Sequence, residues 1–343
     1  MLQFTFRRLF LFFFTMLLLS LLSFSLSYFF PGDAIINLSG QVNASKEELA
    51  LLSQQYAMHE SFFSQYWHYL LRIFQGDFGI SMASQLPISH EIENLLPATI
   101  ELSIISLLLA MTLGIPLGFI AAIFHKRAID NIILSFAIVG YSIPVFWLGL
   151  FLILVFSIQL AWLPSAGNIS LLFEIPHVTG FLFIDILLSD SEYKWQAFYN
   201  AFTHIILPAS VIALAPATVF IRLARSAMME VLSTSYIKAA KTKGLSNTQI
   251  IYRHAIRNAL IKMIRHIGLQ FSHLITFAMI TEVIFNWPGI GRWLIESIYQ
   301  RDYTAIQSGL LVLSSFIFIV HIITDFIYAA LNPLAREHRH GSR

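Results

Sequence analysis

The sequence predicts an all-α polytopic membrane protein with six transmembrane helices and both termini in the cytoplasm (N-in/C-in). Three observations lead to this fold class. First, 57% of the 343 residues are hydrophobic and only 12% are charged, and the mean hydropathy of +0.71 lies outside the range of soluble globular domains. Second, apolar runs long enough to cross a bilayer recur along the chain. Third, lysine and arginine residues gather in alternate segments between those runs.

The first apolar run covers residues 9–30, which are 22 residues without a charge. A helix of that length spans the roughly 30 Å hydrocarbon core at about 1.5 Å per residue. Arg7 and Arg8 precede the run as in a signal peptide, but the run is longer and no small-residue cleavage site follows it. We therefore expect residues 1–30 to form a cytoplasmic end and a retained first transmembrane helix.

Five more apolar runs complete the predicted set. Another apolar stretch, residues 171–188, is interrupted by Glu174, Pro176 and Asp185. Because a charge buried in lipid is costly, we predict that this stretch is interfacial or periplasmic and does not span. The five apolar runs that are predicted to span the membrane, in addition to the first, lie at residues 99–124, 131–161, 205–221, 267–285 and 305–331.

The distribution of basic residues tests this topology. With the N-terminus inside the cell, 16 of the 21 lysine and arginine residues fall in cytoplasmic segments, as the positive-inside rule requires. The prediction divides the chain into the first helix, a periplasmic loop with short helices at 31–96, a membrane domain at 97–331 and a cytoplasmic tail at 332–343. The net charge of +2 is small and its basic excess lies on one side, which favours lipid contact over nucleic acid.

Within the periplasmic loop, the segment Ser45 to Glu48 has the pattern of a helix-capping box. A later segment places aromatic and aliphatic residues on one helical face, namely Phe62, Tyr66, Tyr69 and Ile73. This helix is interpreted as resting at the bilayer interface, with a substrate-docking surface as the alternative.

The predicted cytoplasmic loop at 222–266 is the best guide to a partner. Ala239 and Ala240 favour helix, and Gly244 suits the left-handed residue that follows a helix end. Ser246 then opens a second helix as its N-cap, and a staple of Leu245 with Ile250 flanks that cap. A basic loop that is only solvated does not need residues that end one helix and start another. The predicted helix, glycine turn and second helix therefore favour an element that docks on a partner.

Ionisable residues in or beside the spans are candidate path or gate residues, because lipid burial of charge is costly. His321 and Asp325 lie four residues apart on one helix face, compatible with a mutual hydrogen bond, a contact to a neighbouring span, a proton relay or a substrate contact. Pro116 and Pro144 are expected to kink their helices and are candidate hinges. The candidates are Glu101, His273, Glu282, His321 and Asp325.

Several chemistries lack their sequence motifs. The chain has no cysteine, which excludes disulfides, thiolate catalysis and cysteine metal sites. It contains no G-x-x-x-x-G-K-[ST], H-E-x-x-H or G-x-S-x-G string. The chain therefore has no phosphate-binding loop of its own for ATP, and any energy for its work must come from elsewhere.

The loop motif Tyr236-Ile237-Lys238-Ala239-Ala240-x3-Gly244-Leu245-Ser246 resembles the EAA loop of the membrane subunits of bacterial ABC importers. The continuation from Arg253 to Asn258 resembles the oligopeptide/dipeptide permease branch. Segments at 179–191 and 278–282 are similar to the Sap permeases, associated with antimicrobial peptides and, in some members, putrescine. Further motifs that resemble the oligopeptide/dipeptide permease branch begin at Pro31, Gly76, Pro97, Ser142, Glu282, Arg301 and Asn332.

This resemblance implies a type I ABC transporter transmembrane domain in the bacterial inner membrane. It implies a homologous second permease subunit, two cytoplasmic ABC ATPase subunits that use ATP and Mg²⁺, and a periplasmic substrate-binding protein, with no cofactor bound by this chain. Residues 236–243 would be the coupling helix, turned by Gly244. The chain departs from the family pattern at Lys238, where an acidic residue is usual, at Ile261 and Lys262, and at Thr304 and Leu334.

Two other functions remain open at this point. An intramembrane enzyme would use Glu282, His273 or the His321 and Asp325 pair as acid and base, and would need them to converge on one cavity. A stand-alone channel would conduct ions as the isolated chain.

Overall fold

Long helices account for most of the structure. The computed structural model describes residues 2–29 and 31–331, so Asn332, Pro333, Leu334 and the rest of the predicted tail lie outside the described residues. In chain order the helices are α1 (Leu2–Phe29), α2 (Ala34–Ser39), α3 (Lys46–Gln55), α4 (Phe62–Phe74), α5 (Ile88–Ile123), α6 (Ala128–Ser142), α7 (Val145–Leu152), the π-helical turn π1 (Ile153–Gln159), α8 (Leu182–Leu188), α9 (Lys194–Leu232), α10 (Ser235–Thr242), α11 (Asn247–Gln249), the π-helical turn π2 (Ile250–Ala255), α12 (Ile256–Ile284), α13 (Ile290–Gln300) and α14 (Tyr303–Leu331).

Five of these helices contain a segment long and apolar enough to cross a membrane, and α6 with α7 and π1 forms a sixth candidate that bends by 97°. The bend lies where Ile143 takes an extended conformation (ψ 124°) before Pro144, as steric conflict with a following proline requires. The expected kink at Pro144 is therefore a break between two helices. A count of six spans, and their orientation, stay predictions.

The observed helices extend beyond the apolar runs. The span predicted at 205–221 belongs to α9, which has 39 residues and contains Pro208 and Pro216. The span predicted from residue 99 belongs to α5, which begins at Ile88. Hydropathy marks only the lipid-crossing part of a helix, whereas backbone hydrogen bonding continues into water.

The chain divides into two compact units. Unit 1 takes its described residues from Met1–Thr99, His177–Phe181 and Pro288–Ile319, and unit 2 takes its own from Ile100–Pro176, Leu182–Trp287 and Val320–Arg343.

In unit 1, α4 packs its aromatic face against α1. The ring of Phe24, which is 1% exposed, lies 5.6 Å from the ring of Tyr66 and 5.1 Å from that of Tyr69. The Tyr66 hydroxyl lies 2.8 Å from Ser20 Oγ, and burial raises the pKa of Tyr69 to about 12. The face predicted for α4 is confirmed, and it serves the core of unit 1 instead of a free docking surface.

The capping box predicted at Ser45 is present at the start of α3. The Ser45 amide donates to Glu48 Oε2 at 2.7 Å, and the Glu48 amide donates to Ser45 Oγ at 3.3 Å. The Ser45 amide holds the pKa of the Glu48 carboxyl below its usual value.

In unit 2, α9 is the central helix, since 72% of its most apolar 18-residue segment is buried. Helix α5 approaches it closely at two glycines one turn apart. A Cβ atom built on Gly114 would lie 2.6 Å from the carbonyl oxygen of Ala217, and one on Gly118 would lie 2.6 Å from the Cβ atom of Ala224. These small residues let the two backbones come together, as in other membrane helix pairs.

The interrupted apolar stretch at 171–188 forms only α8, seven residues long. At about 1.5 Å per residue this helix covers roughly a third of a bilayer core. This short helix agrees with the prediction that the stretch does not span, and its interfacial or periplasmic position stays a prediction.

Candidate functional site

Two apolar side chains on one face of α10 fix this helix to the rest of unit 2. Ile237 is 1% exposed and Ala240 is 9% exposed, and both belong to a buried cluster that includes Ile250 and Ala255. Of the predicted coupling residues, these two therefore hold the helix in place and are not available to a partner. Its remaining surface, with Tyr236, Lys238, Ala239, Lys241 and Thr242, is exposed.

The glycine turn after α10 has the geometry of a Schellman motif. Gly244 has φ +84°. Its amide donates to the carbonyl of Lys241 at 3.0 Å, and the Leu245 amide donates to the carbonyl of Ala240 at 3.3 Å. These two bonds satisfy carbonyls that the end of a helix leaves open, and they need a residue in the left-handed region. The predicted helix and glycine turn are confirmed.

The second loop helix starts at the predicted N-cap. The Gln249 amide donates to Ser246 Oγ at 3.3 Å and the Ser246 amide donates to Gln249 Oε1 at 3.0 Å, a complete capping box. From there α11, π2 and α12 follow one another without a gap from Asn247 to Ile284. Lys262, which stands where the resembling family has a proline, allows this continuity because it retains its backbone N–H.

Two side-chain contacts also connect the loop to the long helices. Asn258 Nδ2 on α12 donates to the hydroxyl of Tyr236 on α10 at 2.9 Å. Lys262 Nζ lies 2.6 Å from the Glu230 carboxylate near the end of α9. These contacts and the buried side chains Ile237 and Ala240 join α10 to α12, and α12 to the end of α9.

Glu101 anchors the chain that enters α8. Its carboxylate accepts the backbone N–H of Leu182 at 3.2 Å and of Phe183 at 3.0 Å, and Glu101 is 7% exposed. A carboxylate at a helix N-terminus satisfies otherwise open donors and the positive end of the helix dipole. These two hydrogen bonds explain why the acidic side chain of Glu101 is buried, and they give it a structural role.

His321 contacts a neighbouring helix, which is one of the alternatives raised by the sequence. Its Nε2 lies 2.7 Å from Ser272 Oγ on α12. One turn away, a Cβ atom on Gly268 would lie 2.6 Å from the Cβ atom of Thr324, so α12 and the end of α14 approach closely. The hydrogen bond holds these two helices in register.

The remaining candidate path residues occupy different environments. Glu282 is completely buried, His273 is exposed and Asp325 is partly buried. Among the residues that the structure describes, no three His, Asp or Glu side chains gather in a group that would hold a metal ion.

Sequence reasoning missed a charged cluster between α6 and α9. Arg225 on α9 binds Asp130 on α6, which also accepts the amide of Lys126 at 3.0 Å. His125 Nδ1 lies 3.1 Å from the same carboxylate. The only sequence signal was an isolated acid beside Lys126 and Arg127, and its partner is 95 residues away.

The fold and this loop define the class of protein: a multi-pass helical membrane protein that presents a short, glycine-ended helix beyond its spans. Comparison with protein families identifies the family. The family described as "Binding-protein-dependent transport system inner membrane component" matches residues 114–337, and its N-terminal counterpart matches residues 1–103.

Individual relatives match along the whole chain. The identity is 39% over 339 residues with the di/tripeptide transport system permease protein DppB of Pseudomonas aeruginosa, covering 99% of this chain and 100% of the relative. It is 40% over 343 residues with the putrescine export system permease protein SapB of Escherichia coli K12, covering all of both chains. It is 37% over 340 residues with the dipeptide permease DppB of the same strain, covering 98% and 99%.

A solved structure shares the fold. The MetNI methionine ABC transporter in an inward-facing conformation matches with a TM-score of 0.51 at 16% identity, over 68% of this chain and 93% of that chain. The chain belongs to the family of inner membrane components of binding-protein-dependent transport systems. It is a membrane-spanning permease subunit of an ABC transporter, with a type I transmembrane fold, in the inner membrane. Family membership favours a transport subunit over the enzyme and channel alternatives.

Proposed function

We propose that this permease couples ATP hydrolysis in two cytosolic ABC ATPase subunits to the movement of peptides or a related cationic solute. The translocation path is shared with a homologous second permease subunit, and a periplasmic substrate-binding protein presents the solute. The ATPase partners use ATP and Mg²⁺. In this proposal the chain crosses the membrane six times, with the loop 222–266, both termini and the tail 332–343 in the cytoplasm and the loop 31–96 outside.

The observation that carries the proposal is the construction of α10. One face is buried through Ile237 and Ala240 while the opposite surface is exposed. Both ends of the turn that follows are fixed, by the Schellman bonds at Gly244 and by the capping box at Ser246. A short helix held this firmly and projecting from the long helices is suited to transmit a push from a partner.

ATP binding would close the ATPase pair and displace the α10 helices that are seated in it. Because α10 is joined to α12 through Ile237, Ala240 and the hydrogen bond from Asn258 to Tyr236, this displacement would tilt α12. Access to the path would then change from one side of the membrane to the other.

The solute class rests on the relatives. Their names specify dipeptides, di- and tripeptides and putrescine, and all of these carry a protonated amino group at neutral pH. Glu282, His273 and Asp325 are proposed contacts or gates along the path, whereas Glu101 and His321 would shape it through their bonds within the chain.

Single-cysteine cross-linking tests the docking. The chain has no cysteine, so Ala239→Cys and Ala240→Cys each introduce one unique thiol on the same helix. The exposed site at 239 should cross-link to an ATPase subunit in native membranes, while the buried site at 240 should react several-fold less. An active transporter in which position 239 captures no ATPase subunit would contradict the proposed coupling role.

A further inference from the structure

The cytoplasmic loop carries a one-sided excess of positive charge. Residues 231–265 contain seven lysine and arginine residues and no aspartate or glutamate. Besides Lys262, five of the seven are exposed, and they lie on α10, on the glycine turn, on π2 and at the start of α12. They are Lys238, Lys241, Lys243, Arg253 and Arg257, and are called the basic loop surface below.

This charge is not neutralised by the chain itself within the described residues. The ion pairs found there use Arg72, His125, Arg225, Lys262 and Arg292 as their basic members, and none of the five residues of the basic loop surface. Lys262 is the contrasting case, because it is paired with Glu230 at 2.6 Å. A surface of like charges without acidic partners among the described residues suggests that a partner protein supplies the acidic groups.

The position of the loop favours a protein over anionic lipid as that partner. Helix α9 ends at Leu232, about 11 residues beyond the apolar run that ends at 221, and α12 begins at Ile256, about 11 residues before the run that starts at 267. At about 1.5 Å per residue the loop projects roughly 16 Å from the apolar part of both helices. The headgroup layer occupies about 5–8 Å of that distance. The loop therefore lies about one Debye length, about 8 Å at physiological ionic strength, beyond the lipid charge, which weakens its attraction.

We propose that the basic loop surface binds carboxylates that line the docking groove of the cytosolic ATPase subunit. This inference rests on the proposed coupling role and adds the chemistry by which the two subunits recognise each other. Lys238 and Lys241 lie three residues apart and so share a helix face, next to the exposed Ala239. The wider family pattern has an acidic residue at the position of Lys238. With lysine there, α10 would bind an acidic groove. It would be repelled by a basic groove of the kind that fits an acidic coupling helix, because like charges in contact are repulsive.

The test measures the affinity of the purified ATPase subunit for the permease assembly in lipid nanodiscs at several salt concentrations. The variant Lys238→Gln with Lys241→Gln should weaken binding about tenfold at low salt, and should flatten its salt dependence. The matched control, Lys126→Gln with Arg127→Gln, removes the same charge from the turn between α5 and α6 and should leave affinity unchanged. Lys238→Arg with Lys241→Arg retains the charge and should also bind normally, which separates charge from loss of folding.

The outcomes distinguish this inference from the proposed function. If the Gln variant binds with wild-type affinity and salt dependence while Ala239→Cys still cross-links to the ATPase, the acidic groove is wrong and the docking role stands. If Ala239→Cys captures no ATPase, the docking role itself fails. If the Gln variant loses affinity for the ATPase subunit only in nanodiscs that contain anionic lipid, and not in neutral ones, the surface binds membrane and the inference is overturned.

Discussion

Arg225 and Asp130 form a two-point ion pair between α9 and α6. Arg225 Nε donates to Asp130 Oδ1 at 2.6 Å, and Nη2 donates to Oδ2 at 2.8 Å. The side chain of Asp130 is 2% exposed and that of Arg225 is 21% exposed. Paired hydrogen bonds of this kind add geometric specificity to charge attraction. They fix the turn between α5 and α6 against α9, the helix that leads to α10.

Asp130→Ala should destabilise the protein by about 2 kcal/mol or more, because it leaves a partly buried guanidinium without its carboxylate. Thermal unfolding of the purified permease in detergent measures the change. As a control, Lys262→Gln breaks the exposed pair with Glu230 and should change stability by no more than about 0.5 kcal/mol. Equal effects of the two substitutions would show that the Asp130 pair has no special role.

Gly118→Ala should destabilise the packing of α5 on α9. The added Cβ atom would lie 2.6 Å from the Cβ atom of Ala224 and close to the backbone of Ile221, so one helix must move, at a cost of about 1–3 kcal/mol. Gly149→Ala in α7 is the matched control, because its Cβ atom would meet its nearest neighbours at 3.4 Å. The yield and unfolding temperature of the two variants should therefore differ. A Gly118→Ala protein as stable as Gly149→Ala would contradict the close approach.

Ser272 and His321 should be energetically coupled. Each single substitution, Ser272→Ala or His321→Ala, removes the same hydrogen bond between α12 and α14, so the double variant should lose less stability than the sum. The expected coupling is about 1 kcal/mol. Thr276→Ala, one turn further along α12, serves as the control and should add independently to His321→Ala. If Ser272 and His321 prove additive, the hydrogen bond does not contribute to stability.

Ser246→Ala should loosen the start of the second loop helix. It removes the acceptor for the Gln249 amide, and loss of such a cap costs about 1 kcal/mol. Hydrogen exchange at residues 247–250 should accelerate, while exchange in the middle of α12 should stay unchanged. Ser246→Asp, which can still accept that hydrogen bond, should restore slow exchange. Unchanged exchange in Ser246→Ala would show that the cap does not hold this helix.

The sequence predicted those features that depend on neighbouring residues. The capping boxes at Ser45 and Ser246 and the turn at Gly244 are set by side chains within a few positions, and all three were found as expected. The apolar runs located the long helices for the same reason, since each lipid-crossing segment must be apolar along its own length.

Features that join distant parts of the chain were not predictable in this way. Glu101 binds amides 81 and 82 residues away, and Asp130 pairs with Arg225 across 95 residues. A sequence pattern within a few residues cannot predict either contact. Pro144 signalled a kink, but the 97° angle depends on how α6 and α7 pack against other helices. For the same reason, helical periodicity alone did not show that Ile237 and Ala240 face inward while Ala239 faces outward.

The most direct test of the coupling role is the number of solute molecules moved per ATP hydrolysed, measured in proteoliposomes with Gly244→Asn and Gly244→Val. A Cβ atom at Gly244 would meet nothing within 4 Å, so any effect must come from the backbone at φ +84°. Asn tolerates this conformation, whereas a β-branched residue is strained there by about 1–2 kcal/mol. We expect Asn to preserve the wild-type ratio, and Val either to lower it about tenfold or to prevent assembly with the ATPase. A Val variant that assembles and keeps the wild-type ratio would contradict the account.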